Sequence, residues 1–155
     1  MDPRLSALCK RLIATRSVSA EGTRHIAELC ANEILAPAGI TARLISSVKE
    51  GPEQVNLVAF IEGRERTLAP IVLNTHLDTV PPGDPTLWTA CDGNPFEARV
   101  DGDRIYGLGA ADTKLDFAAK ASALAQCGRP RRDLWLVATF GEERGLAGAK
   151  EIAAA

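Results

Sequence analysis

From Pro3 to Ala14 the apolar residues return at Leu5, Leu8, Leu12 and Ile13, the spacing that lines one face of a helix. Asp2 and Pro3 supply a cap and a first helical position, so the chain is predicted to open on a helix. A second helical pattern covers about Glu21 to Ala36, with Ile26, Leu29, Cys30 and Ile34 on one face and His25 on the wet flank. Pro37 and Gly39 stop it. Three apolar runs bounded by Gly, Pro and charged residues follow, Thr41 to Val48, Val55 to Ile61 and Ala69 to Thr75, and each is predicted as a strand. The third, around Pro70-Ile71-Val72-Leu73-Asn74, reads as buried on both faces.

Between Pro81 and Phe96 prolines, glycines and lone polar residues describe a long loop, in which Trp88 and Phe96 call for packing. A hairpin is predicted from Glu97 to Val100 and Arg104 to Tyr106, turning at Asp101-Gly102. Asp112 to Cys127 is alanine-rich and helical, Leu134 to Phe140 is a last apolar strand, and a helix begins near Leu146. Helices mixed with strands, two of them apolar enough for cover on both sides, predict a three-layer α/β/α domain with a largely parallel central sheet.

Composition narrows the function classes. With 46% hydrophobic and 25% charged residues, the chain has the make-up of one globular core. A formal charge of -2 favours neither nucleic acid nor an anionic membrane as partner. There is no basic stretch followed by an apolar core near Met1 and no run of membrane-spanning length, so a cytoplasmic location is expected. Cys9, Cys30, Cys91 and Cys127 are scattered without a Cys-x-x-Cys pair and read as reduced, packing thiols.

In open α/β sheets ligands gather beyond the carboxyl ends of strands, which directs attention to three polar segments. After one strand comes His76-Leu77-Asp78, where a two-residue spacing puts both side chains on one face, as a metal-binding histidine oriented by a carboxylate requires. After another comes Glu142-Glu143, whose side chains diverge, so that one can bind metal while the other takes a proton from water. Gly107-x-Gly109-x-x-Asp112 is close to a dinucleotide fingerprint, but its aspartate opposes a pyrophosphate and suits a cation. The plain alternatives are a His-Asp pair held for structure, a solvated acidic turn and an aspartate helix cap. Together, one imidazole with carboxylates at one sheet edge fits zinc, with cobalt or manganese as further options.

The ordered series His76-Leu77-Asp78-Thr79-Val80-Pro81, Tyr106 to Lys114, and Thr139-Phe140-Gly141-Glu142-Glu143 resembles the signature of a metallopeptidase family. That family includes acetylornithine deacetylase, succinyl-diaminopimelate desuccinylase, aminoacylase and glutamate carboxypeptidase. The resemblance implies an amide hydrolase acting on N-acyl amino acids or short peptides, with two zinc ions per complete site. His76 and Glu143 would bind different ions, Asp112 would bridge them, Asp78 would orient His76, and Glu142 would be the general base. It also implies a cis peptide at Asp112-Thr113. Lys114-Leu115-Asp116 replaces the Lys-Gly-Gly of many relatives, and Leu108 replaces their arginine. Relatives are usually much longer and homodimeric. By the resemblance, residues 1–155 form the N-terminal portion of the metal-binding catalytic domain, without the dimerisation (lid) domain, the rest of the catalytic domain, a further acidic ligand and a late histidine. A non-catalytic metal-binding or interaction module derived from such an enzyme is the second expectation.

Overall fold

A computed structural model describes residues 2–47 and 51–154. Asp2 accepts hydrogen bonds from the amides of Arg4 at 2.8 Å and Leu5 at 3.1 Å, and helix α1 (Pro3–Ala14) begins at the predicted cap. Helix α2 (Arg24–Glu28) starts later than its apolar pattern suggests, then continues through a wide turn, Leu29–Leu35, and a tight one, Ala36–Ala38. Strands β1 (Ala42–Ser46), β2 (Val55–Ile61) and β3 (Ile71–His76) follow the three apolar runs. The predicted end of the first run, Val48, lies outside the described residues.

A small hairpin, β4 (Arg99–Asp101) and β5 (Arg104–Tyr106), precedes helix α3 (Leu115–Gln126), strand β6 (Leu134–Thr139) and helix α4 (Ala147–Ala153). The hairpin turns at Gly102-Asp103, one residue later than expected, because Gly102 takes φ +59° at the first central position.

The four-stranded sheet runs β1-β2-β6-β3. The layered α/β class holds, but the sheet is mixed: β1 pairs antiparallel with β2, β2 antiparallel with β6, and β3 parallel with β6. Apolar content cannot distinguish these pairings; the short β1–β2 connection imposes an antiparallel hairpin, whereas β3 reaches β6 through a long crossover containing α3. Helices α1, α2 and α3 cover one face. There Leu12, Ile26, Leu35 and Phe117 close over Val55, Leu57, Ala59, Leu136 and Ala138, all at or near zero exposure. Each such large side chain contributes about 1.5–3 kcal/mol by leaving water.

Helix α4 lies on the opposite face. Asn56, alternating with core-facing Val55 and Leu57, donates from Nδ2 to Gly148 O at 3.2 Å and accepts the Phe140 amide on Oδ1 at 3.2 Å. The other end of that face is open: Phe60 and Trp135 pair across the strands with ring centroids 4.7 Å apart, and Val72 is 60% exposed. The expectation that β3 is buried on both faces fails here, because β3 is the sheet's edge strand and α4 sits over the end beside Asn56. No helix among the described residues is long and apolar enough to cross a membrane.

Candidate active site

The parallel pairing of β3 with β6 places the polar segments together. In the β3–β6 register His76 stands beside Thr139, and the Leu77 amide donates to Thr139 O at 2.9 Å, so both strands deliver their carboxyl ends to the same edge. From β3 the chain passes to Asp78; from β6 it turns through Gly141 into Glu142 and Glu143. The third limb is the turn before α3 that carries Asp112. Gly109 opens it at φ +76°, and a Cβ there would meet Thr79 Cγ2 at 2.8 Å and Lys114 Cδ at 3.1 Å, so only glycine fits. Thr113 Oγ1 donates to His76 O at 2.9 Å, fastening this turn to the end of β3, and the Asp112–Thr113 peptide is cis.

His76 is buried and lies at the centre. Its Nε2 is 2.8 Å from Asp112 Oδ1 and 3.8 Å from Glu142 Oε2. His76, Glu142 and Glu143 each present a ligand atom within 4.8 Å of the others. Asp112, with a side chain 69% exposed, joins this set through the imidazole. On the other ring nitrogen, Nδ1 is 3.0 Å from the Asp78 carbonyl oxygen and 3.5 Å from Asp78 Oδ1. The backbone carbonyl is thus the nearer acceptor, a detail that the spacing of His76 and Asp78 does not reveal.

The electrostatics follow from this crowding. Burial opposes protonation of His76, but the hydrogen bonds to Asp78 and Asp112 outweigh it and lift its pKa to about 9. Burial likewise opposes ionisation of Asp78, yet hydrogen bonds from His76, the Ser19 hydroxyl and the Glu142 amide hold its pKa below the usual carboxylate value. Glu143 is pushed upward, first by burial and then by the charge of Asp112. Carboxylates that repel one another around the Nε2 edge of a buried imidazole form a donor set that a small divalent cation neutralises, so the residues present fit the metal that the sequence implies.

Three supporting contacts are not legible in the sequence. Ser19 Oγ lies 2.6 Å from Asp78 Oδ2, across 59 positions of chain. Thr113 ties the Asp112 turn to β3. Lys114 is fully buried, donates to Thr15 O at 2.7 Å, and is driven by desolvation to a pKa of about 8. Contacts between distant segments leave no local signal in composition or periodicity.

Known proteins place this geometry in context. The model of peptidase family M20/M25/M40 matches residues 72–155, the stretch holding all three polar segments. Succinyl-diaminopimelate desuccinylase of Methylobacterium sp. (strain 4-46) is 36% identical over 118 residues, covering 76% of this chain and 28% of that protein. Acetylornithine deacetylase of Photorhabdus laumondii subsp. laumondii is 34% identical over 160 residues, covering 98% and 39%. The chain therefore spans well under half the length of these curated relatives. The M20 family metallo-carboxypeptidase Sso-CP2 from Sulfolobus solfataricus shares the fold with a TM-score of 0.77 at 23% identity, over 98% of this chain and 34% of its own. Human carnosine dipeptidase 1 does so with a TM-score of 0.73 at 21% identity, over 97% and 34%. With its signature segments gathered at one sheet edge and its family model matched across them, the chain belongs to peptidase family M20/M25/M40.

Proposed function

We propose that this chain carries the N-terminal part of a metal-dependent site that hydrolyses amide bonds in N-acyl amino acids or short peptides. The observation that carries the reading is the convergence of His76 Nε2 with the carboxylates of Asp112, Glu142 and Glu143 at the carboxyl ends of β3 and β6. His76, Asp112 and Glu143 would hold zinc, two ions in a complete site with Asp112 between them; cobalt or manganese suits the same donors. When bound, the metal supplies Lewis-acid polarisation of the substrate carbonyl and lowers the pKa of water.

The chain's own groups supply the rest. Asp78 holds the imidazole through its carbonyl and carboxylate, keeping the Nδ1 proton in place and Nε2 directed at the site. The Glu142 amide donates to Asp78 Oδ1 at 3.2 Å, which anchors the turn that aims the Glu142 carboxylate inward. Glu142, partly exposed, takes a proton from the attacking water and returns it to the leaving amine nitrogen. Four free thiols, three of them buried, suit the cytoplasm, and a full-length relative of this kind would act as a homodimer.

The test is to load the purified chain with zinc and follow release of free amine from N-acetylornithine and other N-acyl amino acids. Zinc binding with turnover that Glu142→Gln abolishes supports the reading; failure to bind zinc refutes it. Binding without turnover would instead identify a metal-binding or interaction module without activity of its own.

A further inference from the structure

The segment Thr15–Ser19 contributes no group to the proposed metal set, yet it touches two of the three limbs that do. Thr15 O accepts Lys114 Nζ at 2.7 Å, two residues after Asp112. Ser17 O accepts the Thr79 amide at 3.0 Å, and the Ser19 amide donates to Thr79 O at 3.0 Å, so the segment lies alongside the loop leaving β3 as a short parallel bridge.

From this segment the Ser19 hydroxyl reaches the Asp78 carboxylate. Ser19 Oγ has one proton and two acceptors in range, Asp78 Oδ2 at 2.6 Å and Thr79 O at 3.2 Å. The shorter, charge-assisted bond to the carboxylate takes it. Asp78 is fully buried and its oxygens are divided: Oδ2 belongs to Ser19, while Oδ1 accepts the Glu142 amide at 3.2 Å and faces His76 Nδ1 at 3.5 Å. A carboxylate held at both oxygens cannot turn about its terminal bond. Released at Oδ2, it can swing Oδ1 away from the imidazole and from the Glu142 backbone together.

We infer that Ser19 is a positioning residue of the metal centre, its hydroxyl fixing the plane of the Asp78 carboxylate and, through it, the His76 ring and the Glu142 turn. The inference rests on the reading of His76 as a metal ligand. The same segment provides an internal control. Ser17 is as buried as Ser19, but its Oγ has no hydrogen-bond partner among the described residues. Ser17→Ala therefore makes the same chemical change in the same packing without touching Asp78.

The experiment titrates the wild-type chain, Ser19→Ala and Ser17→Ala with Co2+ and records both affinity and the visible absorption bands of the bound ion, with thermal unfolding measured in parallel. Loss of a direct partner of a metal ligand typically weakens binding by about 10- to 100-fold; Ser19 acts one contact further out, through Asp78, so Ser19→Ala is expected near the lower end, about tenfold, with shifted bands. Ser17→Ala should match wild type in both. If Ser19→Ala does not fold, Ser19→Cys carries the same test, since a thiol is a weak donor of similar size and should give an intermediate loss. Wild-type affinity and bands in the Ser19 variant, or an equal loss in Ser17→Ala, overturn the positioning role. If wild type itself binds no cobalt, the metal-ligand reading falls and this inference with it.

Discussion

Without metal, both nitrogens of His76 face acceptors: Nδ1 the carbonyl and carboxylate of Asp78, Nε2 the Asp112 carboxylate at 2.8 Å. Only the doubly protonated ring satisfies both sides, which is why these partners overcome burial and raise the pKa to about 9. An incoming metal must displace the Nε2 proton. Because the pKa is raised, the ring is protonated throughout the neutral range, and the proton competes more strongly as pH falls. Two pH units below that pKa, at pH 7, the competition weakens apparent affinity by about 100-fold, and each unit of pH regains roughly tenfold. The perturbation is therefore pH between 6 and 8, and the assay is calorimetric titration with zinc in buffers of different ionisation enthalpy. Affinity should rise about tenfold per unit, with about one proton released per ion at pH 7. His76→Gln should abolish the proton release. A zinc affinity that stays flat from pH 6 to 8, with no proton released, would refute the claim that the metal takes the position held by this proton.

Further outcomes follow from the packing around the site. Asn56→Leu leaves the Phe140 amide and Gly148 carbonyl without their side-chain partner, and urea denaturation should show a loss of about 1–3 kcal/mol; a loss below about 0.5 would mean that Asn56 does not tie α4 to β6. Gly109→Ala puts a methyl 2.8 Å from Thr79 Cγ2 in a left-handed backbone, costing roughly 1–3 kcal/mol and weakening zinc binding because the Asp112 turn moves. Unchanged stability and affinity would show that the close approach is not needed. Val72→Thr should change stability by less than about 0.5 kcal/mol, since this residue is largely exposed, whereas a loss of several kcal/mol would place it in a covered interface.

Much of this architecture was legible in the sequence because it is written locally. The Asp2-Pro3 cap and the apolar run at Val55–Ile61 fall where the pattern puts them. His76, Asp78, Asp112, Glu142 and Glu143 stand out as candidates by their places after strands and before a helix, and the fold brings them to one edge. What local pattern does not encode is pairing between distant segments. The antiparallel entry of β2 beside β6, the edge position of β3, and the Ser19 contact with Asp78 depend on which strand neighbours which. The apolar run of β3 reads as doubly covered because strand composition reports what a segment can bury, and not whether an element lies across it.

The metal centre depends on one gathering of side chains, and crystallographic anomalous scattering at the zinc edge of the zinc-soaked protein measures it directly. A peak about 2.0–2.2 Å from His76 Nε2, shared with carboxylate oxygens of Asp112 or Glu143, is the expected result. A protein in which zinc scatters elsewhere, with His76 still paired to Asp112, would contradict it.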